Sequence, residues 1–81
     1  MDPKAVAALI EKGLPGAEVA VRTDGNGHYE ATVVSDSFAG ERTLKRHQLV
    51  YGTLGDLVGR ELHALNVRTF TPEEWQEKAT Q

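Results

Sequence analysis

The sequence predicts an α+β fold in the order α-β-β-α-β-α, with helices covering one face of a small three-stranded mixed sheet. Three observations carry this prediction. Apolar residues recur at helical spacing in Val6, Leu9 and Ile10 and again between Leu44 and Val58. Val19 and Val21, then Tyr29, Ala31 and Val33, alternate with more polar neighbours on either side of Asp24-Gly25-Asn26-Gly27. Leu65 and Val67 alternate in a third extended segment beyond the second helical stripe. With 81 residues the chain builds one core, so residues 1–75 are expected as a single domain and residues 76–81 as a short polar tail that frays.

Each element has a local cause. Asp2 before Pro3 is an N-cap with proline at the first helical position, so the first helix should run from about Pro3 to Lys12. Gly13 and Pro15 should stop it. The Asp-Gly-Asn-Gly cluster supplies residues that tolerate positive φ, which predicts a hairpin loop and an antiparallel second strand from about His28 to Ser35. A turn follows around Phe38-Ala39-Gly40. From Glu41 onward Leu44, His47, Tyr51, Leu54 and Val58 fall at steps of three and four, with Val50 and Leu57 widening the stripe. Gly52, Gly55 and Gly59 weaken this second helix, each costing up to about 1 kcal/mol relative to alanine, so a kink or break is expected near Gly52. The third strand should span about His63 to Phe70, and Thr71-Pro72-Glu73-Glu74 reads as a capping box for a last short helix opened by Trp75, a core anchor.

Composition removes several functions. Nine Lys and Arg against twelve Asp and Glu leave a net charge of −3, which argues against holding nucleic acid by charge alone. The absence of cysteine excludes disulfides, thiolate metal sites and cysteine nucleophiles, so any metal must be met by histidine or carboxylate. No apolar run is long enough to cross a bilayer, and Asp2 and Glu11 interrupt the region where a secretory peptide would be basic and then apolar. A cytoplasmic protein without membrane association is expected. The sequence carries no serine nucleophile motif, no phosphate loop and no paired-carboxylate signature, so an enzyme is not expected.

Chemistry concentrates in histidine. If the second and third strands pair directly across a helical crossover they are parallel and begin at the same rim. His28 opens one and His63 the other, and neighbouring strands lie only about 4.8 Å apart. Two imidazoles make half of a four-coordinate site, so a partner or water would have to complete it. A histidine beside a turn is ordinarily just solvated, and His47, on the apolar stripe, reads as a packed residue rather than a ligand.

Four blocks in the same order, Val34-Ser35-Asp36-Ser37-Phe38-Ala39-Gly40-Glu41-Arg42, Lys45-Arg46-His47-Gln48-Leu49-Val50-Tyr51, Leu62-His63-Ala64-Leu65 and Thr69-Phe70-Thr71-Pro72-Glu73-Glu74-Trp75, resemble BolA-like proteins. The likeness runs from the first helix to Trp75. The short hairpin loop is similar to that of the shorter bacterial members called IbaG, while the central block reads more like BolA itself, which leaves the subgroup open. The resemblance implies a fold similar to the type II KH domain, lacking the Gly-x-x-Gly loop that grips nucleic acid. It further implies a non-enzymatic partner of a monothiol glutaredoxin that shares a bridging [2Fe-2S] cluster, in iron-sulfur trafficking or iron and redox sensing. In such a complex the glutaredoxin brings a cysteine and a glutathione thiolate, and this chain brings the histidine matching His63 and a loop residue matching His28. Imidazole can replace thiolate on one iron of such a cluster. No cofactor is expected in the isolated protein, which should be a monomer or weak dimer.

The alternative is DNA binding, because BolA itself resembles a transcriptional regulator. Residues 41–60 carry Arg42, Lys45, Arg46 and Arg60 against Glu41 and Asp56. Arg42, Lys45 and Arg46 should share one helical face able to meet phosphates, although such a face is more often simply solvated.

Overall fold

The structure, a computed structural model, describes residues 1–60, 62 and 64–79. Its elements are α1 (Pro3–Gly13), β1 (Glu18–Thr23), β2 (His28–Val34), a 3-10 turn (Asp36–Phe38), α2 (Thr43–Leu54), a second 3-10 turn (Gly55–Leu57), β3 (Ala64–Phe70) and α3 (Pro72–Ala79). The sheet has the order β1-β2-β3, with β1 antiparallel and β3 parallel to the central β2. The α+β prediction and the mixed three-stranded sheet therefore hold.

Asp2 caps α1 by accepting a hydrogen bond from the Lys4 amide at 2.8 Å, and Pro3 occupies the first turn, where its missing N–H costs nothing. The helix includes Gly13 rather than stopping before it. A Cβ built on Gly13 would lie 2.5 Å from the Thr53 Cγ2, so the glycine is required by the close approach of α2, not by a turn.

Period-two alternation sets the core. Tyr29, Ala31 and Val33 of β2 stand level with Leu65, Val67 and Thr69 of β3, and Ala31 and Val33 with Val21 and Val19 of β1. Onto this face pack Val6, Ile10 and Leu14 from α1 and Val50 and Leu54 from α2, with Phe38 and Leu62 closing the ends of the crossover. Phe38, Ile10, Leu62, Val6, Val33 and Val50 are fully buried, and each such side chain contributes about 1.5–3 kcal/mol by leaving water.

The second helix differs from its predicted form. It starts at Thr43, not Glu41, and runs through Gly52 to Leu54; the break falls at Gly55, whose φ of 57° lies in the left-handed region that glycine enters without a Cβ penalty. Leu44 is 72 % exposed and Val58 lies beyond the helix, exposed, so the predicted stripe is rotated. The inward face instead follows Arg46, Val50 and Leu54 at steps of four.

The last helix begins at Pro72, before Trp75, and continues to Ala79, so residues 76–79 of the expected tail are helical. It is also the exception to one-face packing. Phe70, level with Val34, lies on the sheet face opposite the core, and Trp75 stacks at 5.1 Å on Phe70 over a groove that includes Glu18, Ala20, Thr32 and Val34. At 37 % exposed, Trp75 covers that outer face and is not the core anchor predicted.

The glycine contact yields a test. Alanine in place of an ordinary helical glycine stabilises by up to about 1 kcal/mol, whereas Gly13→Ala must push Thr53 away and is expected to destabilise by about 1–3 kcal/mol. Urea denaturation measures the sign, and Gly13→Ala combined with Thr53→Ser should recover part of the loss.

Candidate functional site

The β1–β2 loop is built by side-chain hydrogen bonds. Asp24 Oδ1 accepts from the Asn26 amide at 2.7 Å, forming an Asx turn, and Thr23 Oγ1 accepts from the Gly25 amide at 3.2 Å while donating to the His28 carbonyl at 2.8 Å. The other Asp24 oxygen, Oδ2, lies 2.9 Å from His28 Nδ1. The Asn26 amide first, and His28 next, hold the Asp24 carboxyl below the usual aspartate range. The His28 side chain is 66 % exposed, and among the described residues only its Nδ1 is engaged.

The parallel register sets what lies beside this loop. His28 is level with Ala64, whose amide donates to the Gly27 carbonyl at 3.2 Å, so β3 starts against the end of the hairpin loop. His63, the expected first residue of the third strand, lies outside the described residues. Its chain neighbour Leu62 is fully buried and bonded through its amide to Leu57 and through its carbonyl to Gly59. An open cleft of about 420 Å³ runs over the rim between Arg22, Asp24, His28, Tyr29, Glu30 and Asn66. Arg22 pairs with Glu30 across it and lowers the Glu30 carboxyl. Among the described residues no three His, Cys, Asp or Glu side chains converge on a metal-sized point. His47 sits half-buried on α2 with its ring edge-on to Tyr51 at 6.3 Å.

The basic residues of α2 divide. Arg42 and Lys45 are exposed, but Arg46 does not share their face: its side chain is only 13 % exposed. Its Nε donates to the Glu41 carbonyl at 2.8 Å and its two terminal nitrogens to Glu74 at 2.7 and 3.1 Å, with the guanidinium 5.9 Å from the Phe38 ring. Glu74 also completes the capping box with Thr71, accepting from its amide at 2.9 Å while its own amide donates to Thr71 Oγ1 at 3.1 Å. Arg46 thus ties the start of α2 to the start of α3. The capping box was readable in sequence, whereas the inward turn of Arg46 was signalled only by its four-residue spacing to Val50 and Leu54. Asp24, read as a turn residue alone, was missed as a partner of His28; the signal was a carboxylate four positions before the histidine across a two-glycine loop.

Comparison with known proteins places this geometry. The family model described as BolA-like protein matches residues 10–74, and the chain belongs to that family. It is 48 % identical over 50 residues to the DNA-binding transcriptional regulator BolA of Vibrio cholerae, covering 62 % of this chain and 47 % of that one. The matched stretch thus spans about half the length of that relative. Among solved structures, a bolA protein homologue from Coxiella burnetii superposes with a TM-score of 0.83 at 36 % identity, covering 94 % of this chain and 97 % of its own. The BolA domain of SufE1 from Arabidopsis thaliana gives a TM-score of 0.76 at 34 % identity, covering 89 % and 93 %.

The Arg46 and Glu74 pair has a defined acid response. The Arg46 guanidinium, then the Thr71 amide, holds the Glu74 carboxyl at about 2 against an ordinary value of 4.5. A carboxyl depressed in the folded state stabilises fully above its unfolded value and loses that contribution as pH falls through the folded one. Glu74→Gln should therefore lower the melting temperature at neutral pH, and the gap from the parent should narrow between pH 4.5 and 2. A gap constant across that interval would remove the assignment. Arg46→Ala should also destabilise, while Arg42→Ala stays within about 0.5 kcal/mol of the parent.

Proposed function

We propose that this chain is a non-enzymatic adaptor that shares a [2Fe-2S] cluster with a monothiol glutaredoxin and glutathione, using His63 and His28 as its ligands. The observation that carries the reading is the β2–β3 register: parallel pairing sets His28 level with Ala64, next in sequence to His63, on an exposed rim. His28 fits the donor set required, since its Nδ1 is held by a carboxylate and its Nε2 is left for a metal. When bound, the cluster supplies electron storage or a transferable iron-sulfur unit; the chain supplies imidazoles and a rim open to a second protein. The Arabidopsis relative, in which a BolA domain occurs in a SufE-like protein, supports an iron-sulfur context.

Mixing the protein with a cluster-loaded monothiol glutaredoxin and glutathione tests this by visible absorption and native mass. A heterodimer with altered cluster absorption is expected, and unchanged glutaredoxin homodimer would overturn it. His63→Ala should abolish the mixed spectrum and His28→Ala should weaken the complex; retention of both spectrum and affinity in His63→Ala would remove the ligand assignment.

A second reading, DNA binding, is favoured by the similarity to the DNA-binding transcriptional regulator BolA of Vibrio cholerae. In this chain it would rest on exposed Arg42 and Lys45, with Arg46 committed to Glu74. Replacing Arg42 and Lys45 by alanine should lower affinity and reduce the salt slope by about 2. Absence of duplex binding by the parent at low salt, in a fluorescence anisotropy titration, would eliminate it.

A further inference from the structure

The geometry points to Asp24 as a positioning residue that fixes His28 in its Nδ1–H tautomer and so assigns Nε2 as the ligating atom. This deepens the adaptor reading above and rests on it. An ionised carboxylate only accepts hydrogen bonds, so the 2.9 Å contact between Asp24 Oδ2 and His28 Nδ1 requires the proton of a neutral ring to sit on Nδ1. The lone pair then sits on Nε2, in a side chain that is largely exposed. A histidine whose other nitrogen donates to a carboxylate is the usual arrangement behind a metal-bound imidazole, where the carboxylate sets ring orientation and raises ligand basicity.

The loop explains why Asp24 can do this. Its two oxygens have separate tasks, Oδ1 on the Asn26 amide at 2.7 Å and Oδ2 on the ring, so the Asx turn aims the carboxylate at the histidine. Backbone bonds reinforce the spacing, with the Asp24 amide 3.4 Å from the His28 carbonyl and Thr23 Oγ1 bonded to the same carbonyl. The ring is thus oriented before any partner arrives.

Asp24→Asn is the decisive variant. Asparagine keeps one oxygen for the Asn26 amide and preserves the turn, but its amide nitrogen cannot accept from Nδ1–H. Long-range ¹H–¹⁵N correlation spectra of the free protein, at a pH where the ring is neutral, should show the Nδ1–H tautomer in the parent and a shift toward Nε2–H in Asp24→Asn. The Asn26 amide resonance reports whether the turn has survived. In the mixed complex with cluster-loaded glutaredoxin, Asp24→Asn should weaken association by roughly 10- to 100-fold and alter the visible circular dichroism. An unchanged tautomer with an intact turn overturns the role of Asp24, whatever the parent does with a cluster. A shifted tautomer with unchanged affinity and dichroism severs the ring from the cluster and overturns the inference there. Failure of the parent to form any mixed complex overturns the adaptor reading and, with it, the ligand role, while leaving the tautomer result standing as a fact of the loop.

Discussion

The parallel pairing of β2 with β3 is the constraint from which the rest of the molecule follows. Strands that run the same way cannot be joined by a tight turn, so the chain must leave the end of β2, cross the sheet and return to the beginning of β3. Phe38, Val50 and Leu54 of α2, and Leu62 are buried along that crossover, and they cover the same face as α1. β2 is thereby paired on both edges, with Ala31 at its centre level with Val67 on one side and Val21 on the other beneath the helices. The same pairing brings the beginnings of both strands to one rim, which sets His28 and Ala64 level. An antiparallel third strand would have sent position 64 to the far end of the sheet.

Two polar assemblies then occupy opposite ends of the strands. At the end where β2 and β3 finish, the Ser35 amide bonds to the Phe70 carbonyl, and Thr71, Glu74 and Arg46 join α3 to the start of α2. At the beginning of β2, Asp24, Asn26 and His28 form a loop whose imidazole remains exposed. The first assembly is partly shielded by Phe38 and uses all three guanidinium nitrogens, so its charges serve the fold. In the second, the imidazole stays largely exposed and, among the described residues, is engaged only through Nδ1. The Asp24–His28 loop and the Arg46–Glu74 pair share no residue, so the groups that tie the helices together are not the groups that present the imidazole.

Legibility in the sequence followed the range of the forces involved. The N-cap at Asp2, the hairpin at Asp24 to Gly27 and the capping box at Thr71 are local, set within four residues, and were readable. The alternation of Tyr29, Ala31 and Val33 likewise declared the core face. What failed depended on distant neighbours. Leu44 satisfied the helical period but faces water, because burial is decided by where α1 and the sheet lie, and Arg46 took an inward position because Glu74, 28 residues away, neutralises it. Trp75 looked like core by its size alone; the parity of Phe70 on β3 directs it to the outer face. Within the candidate site, His28 was legible at the start of its strand, yet its partner depended on the two Asp24 oxygens being divided between loop and ring.

That division also bears on which function the chain is suited to. With Arg46 spent on the fold, the face predicted for phosphates retains Arg42 and Lys45 in a chain of net charge −3. Affinity for a polyanion grows with the number of phosphates neutralised, so two cations against a repulsive overall field give a weak and salt-sensitive grip. The metal recognition proposed for the rim depends on geometry rather than on the number of charges. One oriented imidazole contributes a strong, directional bond, and its incompleteness is an advantage where coordination is finished by a second protein, because neither partner then holds the shared group alone. A rim that presents a carboxylate-held histidine beside the start of a parallel strand is therefore better matched to forming a shared site than to gripping a duplex.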